Sequence, residues 1–548
     1  MILRGLTLAL TGAAVLASAS AIAATAKPKP AAVEVQLAAN FPIYDRIVDP
    51  VTAAIRAELA TAGQEGAYVD KRDAAGVAEY YAEQGYAPTW TIGGRLTERA
   101  EKLIARLHVA DEDGLVDVFR TPVIGMGSVV PVSVEGAARA EVMLSRALVT
   151  YARHAQTGML DPATISENFE YDRRLPDPVA VLTGLATATE DPAEALAAYN
   201  PIQPEFVALR AKLAEIRTSE VERPPLVPPG KNLKLGVSDV RVVVLRERLK
   251  VTAAAVDPTV FDENVDLAIK AFQEQAGLKP DGVVGPGTLG ILNAASNDHV
   301  ATILANMERW RWMPRDLGAC YVRVNIPNFN LEIYRAGKVV YTTRIVVGQT
   351  DKQTPVFSHM INHVIVNPVW NVPASIALKE MLPKIQSNPA ALNGYQVFAN
   401  IDGRFRAIDP FMVDWQTVDM RRIQIKQPPG EANALGSIKF MFPNPFSVYL
   451  HDTPSKSFFE RDYRALSHGC MRVQNPWEFA DALLADDPNV SAARLKKLVG
   501  GPETRVNLTS EIPVHITYFT AWVDANGDLQ VRDDIYGHDA RMSKALGI

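Results

Sequence analysis

A thiol, two imidazoles and a glycine fall within one short stretch. It runs His451-Asp452-Thr453-Pro454-Ser455, then a polar and aromatic interval, then Ser467-His468-Gly469-Cys470-Met471-Arg472-Val473. A thiol attacks a carbonyl as its thiolate, and a neighbouring imidazole can take the proton, so these residue types are the minimum equipment for acyl transfer. Cys470 is the expected nucleophile. The interval before Ser467 is long enough for the chain to leave a strand, turn back and bring His451 against the sulfur as general base and acid. His468 lies two residues from the thiol, and its direction depends on the local backbone. Gly469 can adopt conformations closed to other residues, so its N–H and that of Cys470 are candidates for an oxyanion hole. Ser467 reads as a supporting hydrogen-bonder of the turn. Arg472 is either a fork for a substrate carboxylate or a brace for the loop, the plain alternative being a surface cation.

The order His, about fifteen residues, then Ser-His-Gly-Cys followed by an apolar residue and Arg resembles the signature of bacterial cell-wall L,D-transpeptidases. Thr354-Pro355, Asn367-Pro368-Val369-Trp370-Asn371-Val372-Pro373 and Pro428-Pro429-Gly430-Glu431-Ala432-Asn433-Ala434-Leu435-Gly436 are similar to the large periplasmic branch of that family. The resemblance implies a multi-domain α+β protein with a mainly antiparallel β-sandwich catalytic domain. It implies 3-3 cross-linking of peptidoglycan stem tetrapeptides, as donor and acceptor, through a Cys470 acyl-enzyme. Carbapenem-type β-lactams would acylate the same thiol, and no metal or organic cofactor is needed. Asn433 is expected near substrate, and Trp370 and Tyr449 are candidate pocket walls, with core packing as their alternative. Two rival readings use the same residues: a non-catalytic peptidoglycan-binding scaffold, and a hydrolytic L,D-carboxypeptidase or cysteine endopeptidase. Other cell-wall synthesis proteins are further candidate partners.

At 548 residues the chain is too long for one core. Its 48% apolar content and net charge of −6 describe a globular protein without the basic field that nucleic acid requires. Met1-Ile2-Leu3-Arg4, an apolar run from Leu6 to about Ala19 and small residues through Ala24 read as a secretory signal, placing the protein in the periplasm, with an uncleaved inner-membrane anchor as the alternative. The two cysteines, Cys320 and Cys470, are not expected to pair, because a bridge would abolish the chemistry of the motif. His359 and His363 are four apart without the Glu of a metalloprotease helix, in a segment rich in strand formers, so no metal site is expected.

Taken in order, the chain divides into a signal (1–24), a tether (25–70), a helical scaffold (71–223), a proline-rich linker (224–231), a three-helix module (232–297) and a catalytic domain (298–548). In the scaffold, Leu144, Leu148, Tyr151 and Ala155 mark one helix face. In the module, caps are expected at Ser238, Asp262 and Thr288, and its Asp281-Gly282-Val283-Val284-Gly285-Pro286 turn resembles that of peptidoglycan-binding modules. The chain is expected to leave helix from Met307 and enter β pattern, with Val322, Val324 and Ile326 alternating with polar residues. Alternation lapses over 378–435, a candidate substrate-capping insertion. The tail from Val514 through Trp522, turning at Asn526-Gly527, reads as a closing hairpin.

Overall fold

The computed structural model describes residues 50–61, 70–115, 133–218, 227–228, 230–253, 255–294 and 299–548. The expected signal lies outside the described residues, and the expected tether and linker do so in part.

The scaffold is built on the helix Val134–Thr157, capped by Ser133, whose hydroxyl accepts the Gly136 N–H. Its i, i+4 spacing turns Leu144, Leu148, Tyr151 and Ala155 into one core face, all fully buried. Glu141, on the same helix and also fully buried, accepts the N–H groups of Thr89, Trp90 and Thr91 at 2.6–2.9 Å and so pins that loop to the core. In the module, Asp262 caps the helix Glu263–Gln275 by accepting the Val265 N–H. The other two caps differ from expectation. Asp239, not Ser238, accepts the N–H of Arg241 at the start of Arg241–Arg248, because Ser238 is held in a bridge to Val260. Thr288 lies inside Pro286–Ala294 and donates back to the Val283 carbonyl.

The helix Val300–Trp312 runs on through the point where a β pattern was expected. Its residues from Ile303 to Trp312 are all buried, so both of its sides face protein and a one-sided period is invisible in the sequence. Trp310 stacks on Phe519 at 4.5 Å, and Trp312 packs on Phe169 of the scaffold side at 5.7 Å.

The C-terminal part holds one wrapped sheet. Its strands are β1 (Phe169–Glu170), β2 (Cys320–Asn325), β3 (Asn330–Arg335), β4 (Lys338–Gly348), β5 (Val356–Val366), β6 (Ile438–Met441), β7 (Leu450–His451), β8 (Ala465–Ser467), β9 (Met471–Val473) and β10 (Thr504–Thr517). The lateral order is β6-β7-β9-β4-β3-β2-β10-β5-β1, with β8 beside β4, and β6 also pairs with β5, so the sheet closes around its core. Most neighbours are antiparallel, but β7–β9, β2–β10 and β8–β4 are parallel. The β1–β5 pairing, also parallel, adds a scaffold strand to this sheet. Val514 belongs to β10, in the middle of this sheet, so the terminal hairpin is confined to Ala521–Val523 and Leu529–Val531. No helix of the described residues is long and apolar enough to cross a membrane.

Between β5 and β6 the chain forms a separate small unit, with a four-stranded sheet and its own core of Ala377, Ile385, Leu392, Val397, Trp415 and Ile425. It is therefore a folded insertion rather than an irregular excursion.

Trp310→Ala removes a buried indole at the helix that joins scaffold and sheet, and is expected to cost about 3–5 kcal/mol in urea unfolding. A loss below about 1 kcal/mol would contradict that central packing role.

Candidate active site

Three short strands bury alternate residues against the core: Ile438 and Phe440 on β6, Leu450 on β7, Met471 and Val473 on β9, all fully buried. The intervening side chains therefore share the other face. Register then decides who meets whom. Lys439 stands opposite His451, and His451 opposite Arg472. One step earlier Leu450 pairs with Met471, whose N–H donates to the Tyr449 carbonyl at 3.1 Å, so Tyr449 lies beside Cys470. Tyr449, His451, Cys470, Arg472 and Lys439 thus form one patch, drawn from strands that a sequence reader sees as separate.

His451 is buried, and its Nδ1 lies 2.5 Å from the Asp452 carbonyl oxygen. A carbonyl only accepts, so Nδ1 carries the proton and Nε2 is the basic nitrogen of the neutral ring. Asp452 is itself held: its carboxylate accepts from Ser437 N–H and Oγ at 2.9 Å and pairs with Lys456 at 2.7 Å. Gly436, at φ 61°, makes room for this, since a Cβ there would collide with the Asp452 carboxylate. Burial pushes the His451 pKa down to about 3, helped by the positive charge of Arg472.

Cys470 is partly exposed, and desolvation pushes its thiol up to about 11. Tyr449, by backbone and hydroxyl, and the charges of Arg472 and Lys439 pull the other way without overcoming burial. Tyr449 also packs edge-on against His451 at 5.7 Å. At rest the pair is a neutral thiol and a neutral imidazole.

The turn before Cys470 is braced from several sides. Ser467 donates to the Cys470 carbonyl at 2.6 Å and accepts the Gly469 N–H at 3.2 Å, which is the supporting role expected of it. The Gly469 N–H expected to face an oxyanion is thus engaged in this structure. Gly469 sits at φ 109°, where a side chain would be strained, and its carbonyl accepts from Thr354 Oγ1 at 2.8 Å. Thr354 also accepts the Gly348 N–H, and Tyr536 donates to the Gly348 carbonyl at 2.5 Å. His468 turns outward to Glu380 of the insertion, 2.5 Å away, and Lys352 meets the same carboxylate at 2.6 Å. Lys352 and His468 together hold Glu380 below the usual carboxylate range.

Of the residues expected near substrate, Asn433 is held by contacts of its own. Asn433 is buried and fully used: its amide donates to the carbonyls of Pro368, Gln427 and Pro428 and accepts the Leu435 N–H. It staples the loop that leads into β6 and is not free to meet substrate. Trp370 is part of the insertion sheet and packs on Tyr395 at 6.4 Å. Sequence reasoning missed Lys439, Glu380 and the backbone role of Asp452. Their only signals were a lysine alternating with Ile438 and Phe440 and an acid in the insertion.

Residues 320–505 match the family of L,D-transpeptidase catalytic domains. Residues 75–213 match the Scaffold domain and residues 241–292 a peptidoglycan-binding domain. A Haemophilus influenzae protein that carries the L,D-transpeptidase name is 33% identical over 241 residues, 44% of this chain and 48% of the relative. The chain therefore spans about half the length of this curated relative. Among solved structures, an L,D-transpeptidase from Mycobacterium smegmatis is 12% identical over 36% of this chain and 58% of its own, with a TM-score of 0.19. One from Xylanimonas cellulosilytica is 16% identical over 53% and 99%, with a TM-score of 0.16.

With burial pushing the thiol up to about 11, the thiolate is a minor form of Cys470 at pH 7. Alkylation of Cys470 by iodoacetamide is therefore expected to climb about tenfold per pH unit from pH 7 to 10. A plateau below pH 9, read by peptide mass, would mean that the thiol is already ionised.

Proposed function

We propose that the protein is an L,D-transpeptidase that forms 3-3 cross-links between peptidoglycan stems, with Cys470 as nucleophile and His451 as general base and acid. The observation that carries this reading is the single face shared by Cys470, Tyr449 and His451, with His451 held in one tautomer by the Asp452 carbonyl. The family match over the same residues supports the reaction class.

His451 Nε2 takes the thiol proton as Sγ adds to the carbonyl between the third residue of the donor stem and its terminal D-alanine. The neutral resting pair suits this, because proton transfer accompanies attack rather than preceding it. The oxyanion meets the Cys470 N–H, and Gly469 N–H joins if it releases Ser467. The C–N bond then breaks, and D-alanine leaves as an amine with the proton from His451. The side-chain amine of a second stem's diaminopimelate attacks the thioester and gives a proton to His451; the C–S bond breaks, and His451 returns that proton to the sulfur. In this reading Arg472, whose guanidinium lies over the Phe458 ring at 5.6 Å, holds a substrate carboxylate. In this reading the protein works in the periplasm, with the scaffold and the 241–292 module positioning it on the wall.

Water competes for the thioester, so a cap matters. The Glu380 bridge to His468 and Lys352 supports a capping role for the insertion. At this half-exposed position the bridge is worth about 1 kcal/mol, so Glu380→Ala is expected to raise the ratio of hydrolysed to cross-linked product about fivefold. An unaltered ratio would remove the insertion from the partition.

The reading is tested with purified disaccharide-tetrapeptide and products analysed by mass. A cross-linked dimer lacking one D-alanine is expected from the full chain and absent with Cys470→Ala. Tripeptide alone would make the enzyme a hydrolase, and unchanged tetrapeptide would favour a wall-binding scaffold.

A further inference from the structure

Lys439 is a cation in an otherwise apolar strand, between the fully buried Ile438 and Phe440. Alternation turns it to the same face as Cys470, and register sets it directly opposite His451. On the other side of His451 stands Arg472. The cross-strand row reads Arg505, Ile365, Lys439, His451, Arg472, one residue from each strand. With strands about 4.8 Å apart, two long cationic side chains straddle the imidazole.

Neither of these inner cations has an anionic partner among the described residues. Lys439 makes no ion pair there; its ammonium lies over the Tyr449 ring at 5.2 Å. The nearby Glu503 acts on it only at a distance, and its carboxylate accepts the Val369 N–H at 2.8 Å. The Arg472 Nε is buried without a hydrogen-bond partner. Burial holds both groups below their ordinary pKa, which records the cost of keeping them charged there. Two half-buried like charges beside a catalytic imidazole are a poor arrangement for stability alone. An anion arriving with the substrate removes the conflict.

We propose that Lys439 and Arg472 together form a carboxylate seat that binds the terminal carboxylate of the donor peptide, one residue beyond the scissile carbonyl. This rests on the transpeptidase reading, and it adds Lys439 as a residue that selects donors by charge. The position fits the ligand. Lys439 and Arg472 flank His451 on the face that carries Cys470, and the donor's last residue carries its carboxylate one residue beyond the carbonyl that the thiol would attack. Among the described residues no carboxylate forms an ion pair with Lys439, and Glu503 reaches it only at a distance.

The test uses the full chain and two donors, the tetrapeptide with a free terminal carboxylate and the same peptide as its terminal carboxamide, with kcat/KM for Cys470 acylation read by intact mass. The wild type is expected to prefer the carboxylate donor about 10- to 100-fold, the range of a charge-assisted contact. Lys439→Gln should collapse most of that preference, chiefly through KM, and Lys439→Arg should restore it. If Lys439→Gln slows both donors by the same factor, Lys439 serves the thiol or the fold, and the seat is wrong. If the wild type accepts neither donor, the transpeptidase reading fails instead. The seat is then decided by alkylation, because the ratio of iodoacetate to iodoacetamide reactivity at Cys470 should fall in Lys439→Gln. A ratio the substitution does not move would overturn the proposal.

Discussion

The chemistry of this chain depends on the parallel pairing of two short strands, Leu450–His451 and Met471–Val473. Two register pairs place Tyr449 and His451 against Cys470 and Arg472, while Leu450 and Met471 anchor the same strands in the core. A slip of one residue would turn every one of these side chains to the other face and bury the imidazole beneath the sheet. The register is held from both ends: the Asp452 carboxylate grips Ser437 at the start of β6, and Ser467, Thr354 and Tyr536 fix the turn before the thiol.

That constraint explains the electrostatics. Enclosing the patch raises the thiol and lowers the imidazole, so the two oppose ion-pair formation before substrate arrives. Lys439 and Arg472 favour a thiolate and disfavour an imidazolium. The site therefore holds a neutral pair in a positive field. In the proposed reaction such a site gains reactivity when an anionic ligand and a carbonyl enter together.

Much of the arrangement was legible in the sequence, and the limits have physical causes. That Cys470 and His451 belong to one site could be read from their types and spacing, and the strand pairing brings their segments together. Lys439 could not, since its place opposite His451 depends on a register that no local pattern encodes. Glu380 meets His468 across 88 residues, a contact that only the folded insertion creates. Asn433 looked like a ligand because it is polar within a motif, but a buried amide must satisfy its own hydrogen bonds, and the loop supplies them. The same alternation fits a terminal hairpin and a central strand, so β10 was misread: period two gives the faces and not the neighbours. Ser238 and Thr288 failed as caps because capping depends on backbone angles as well as residue type.

The modules extend the same logic. The scaffold contributes β1 to the large sheet, and the helix Val300–Trp312 is buried between the two, so the two parts are packed together rather than strung on a tether. The measurement that tests the account most directly is peptide-mapped mass of the intact protein quenched during turnover with a tetrapeptide donor. The account predicts a tripeptide-sized acyl adduct on the peptide containing Cys470, with Cys320 unmodified. Product forming with the adduct on another residue, or with no covalent adduct at any quench time, would contradict it.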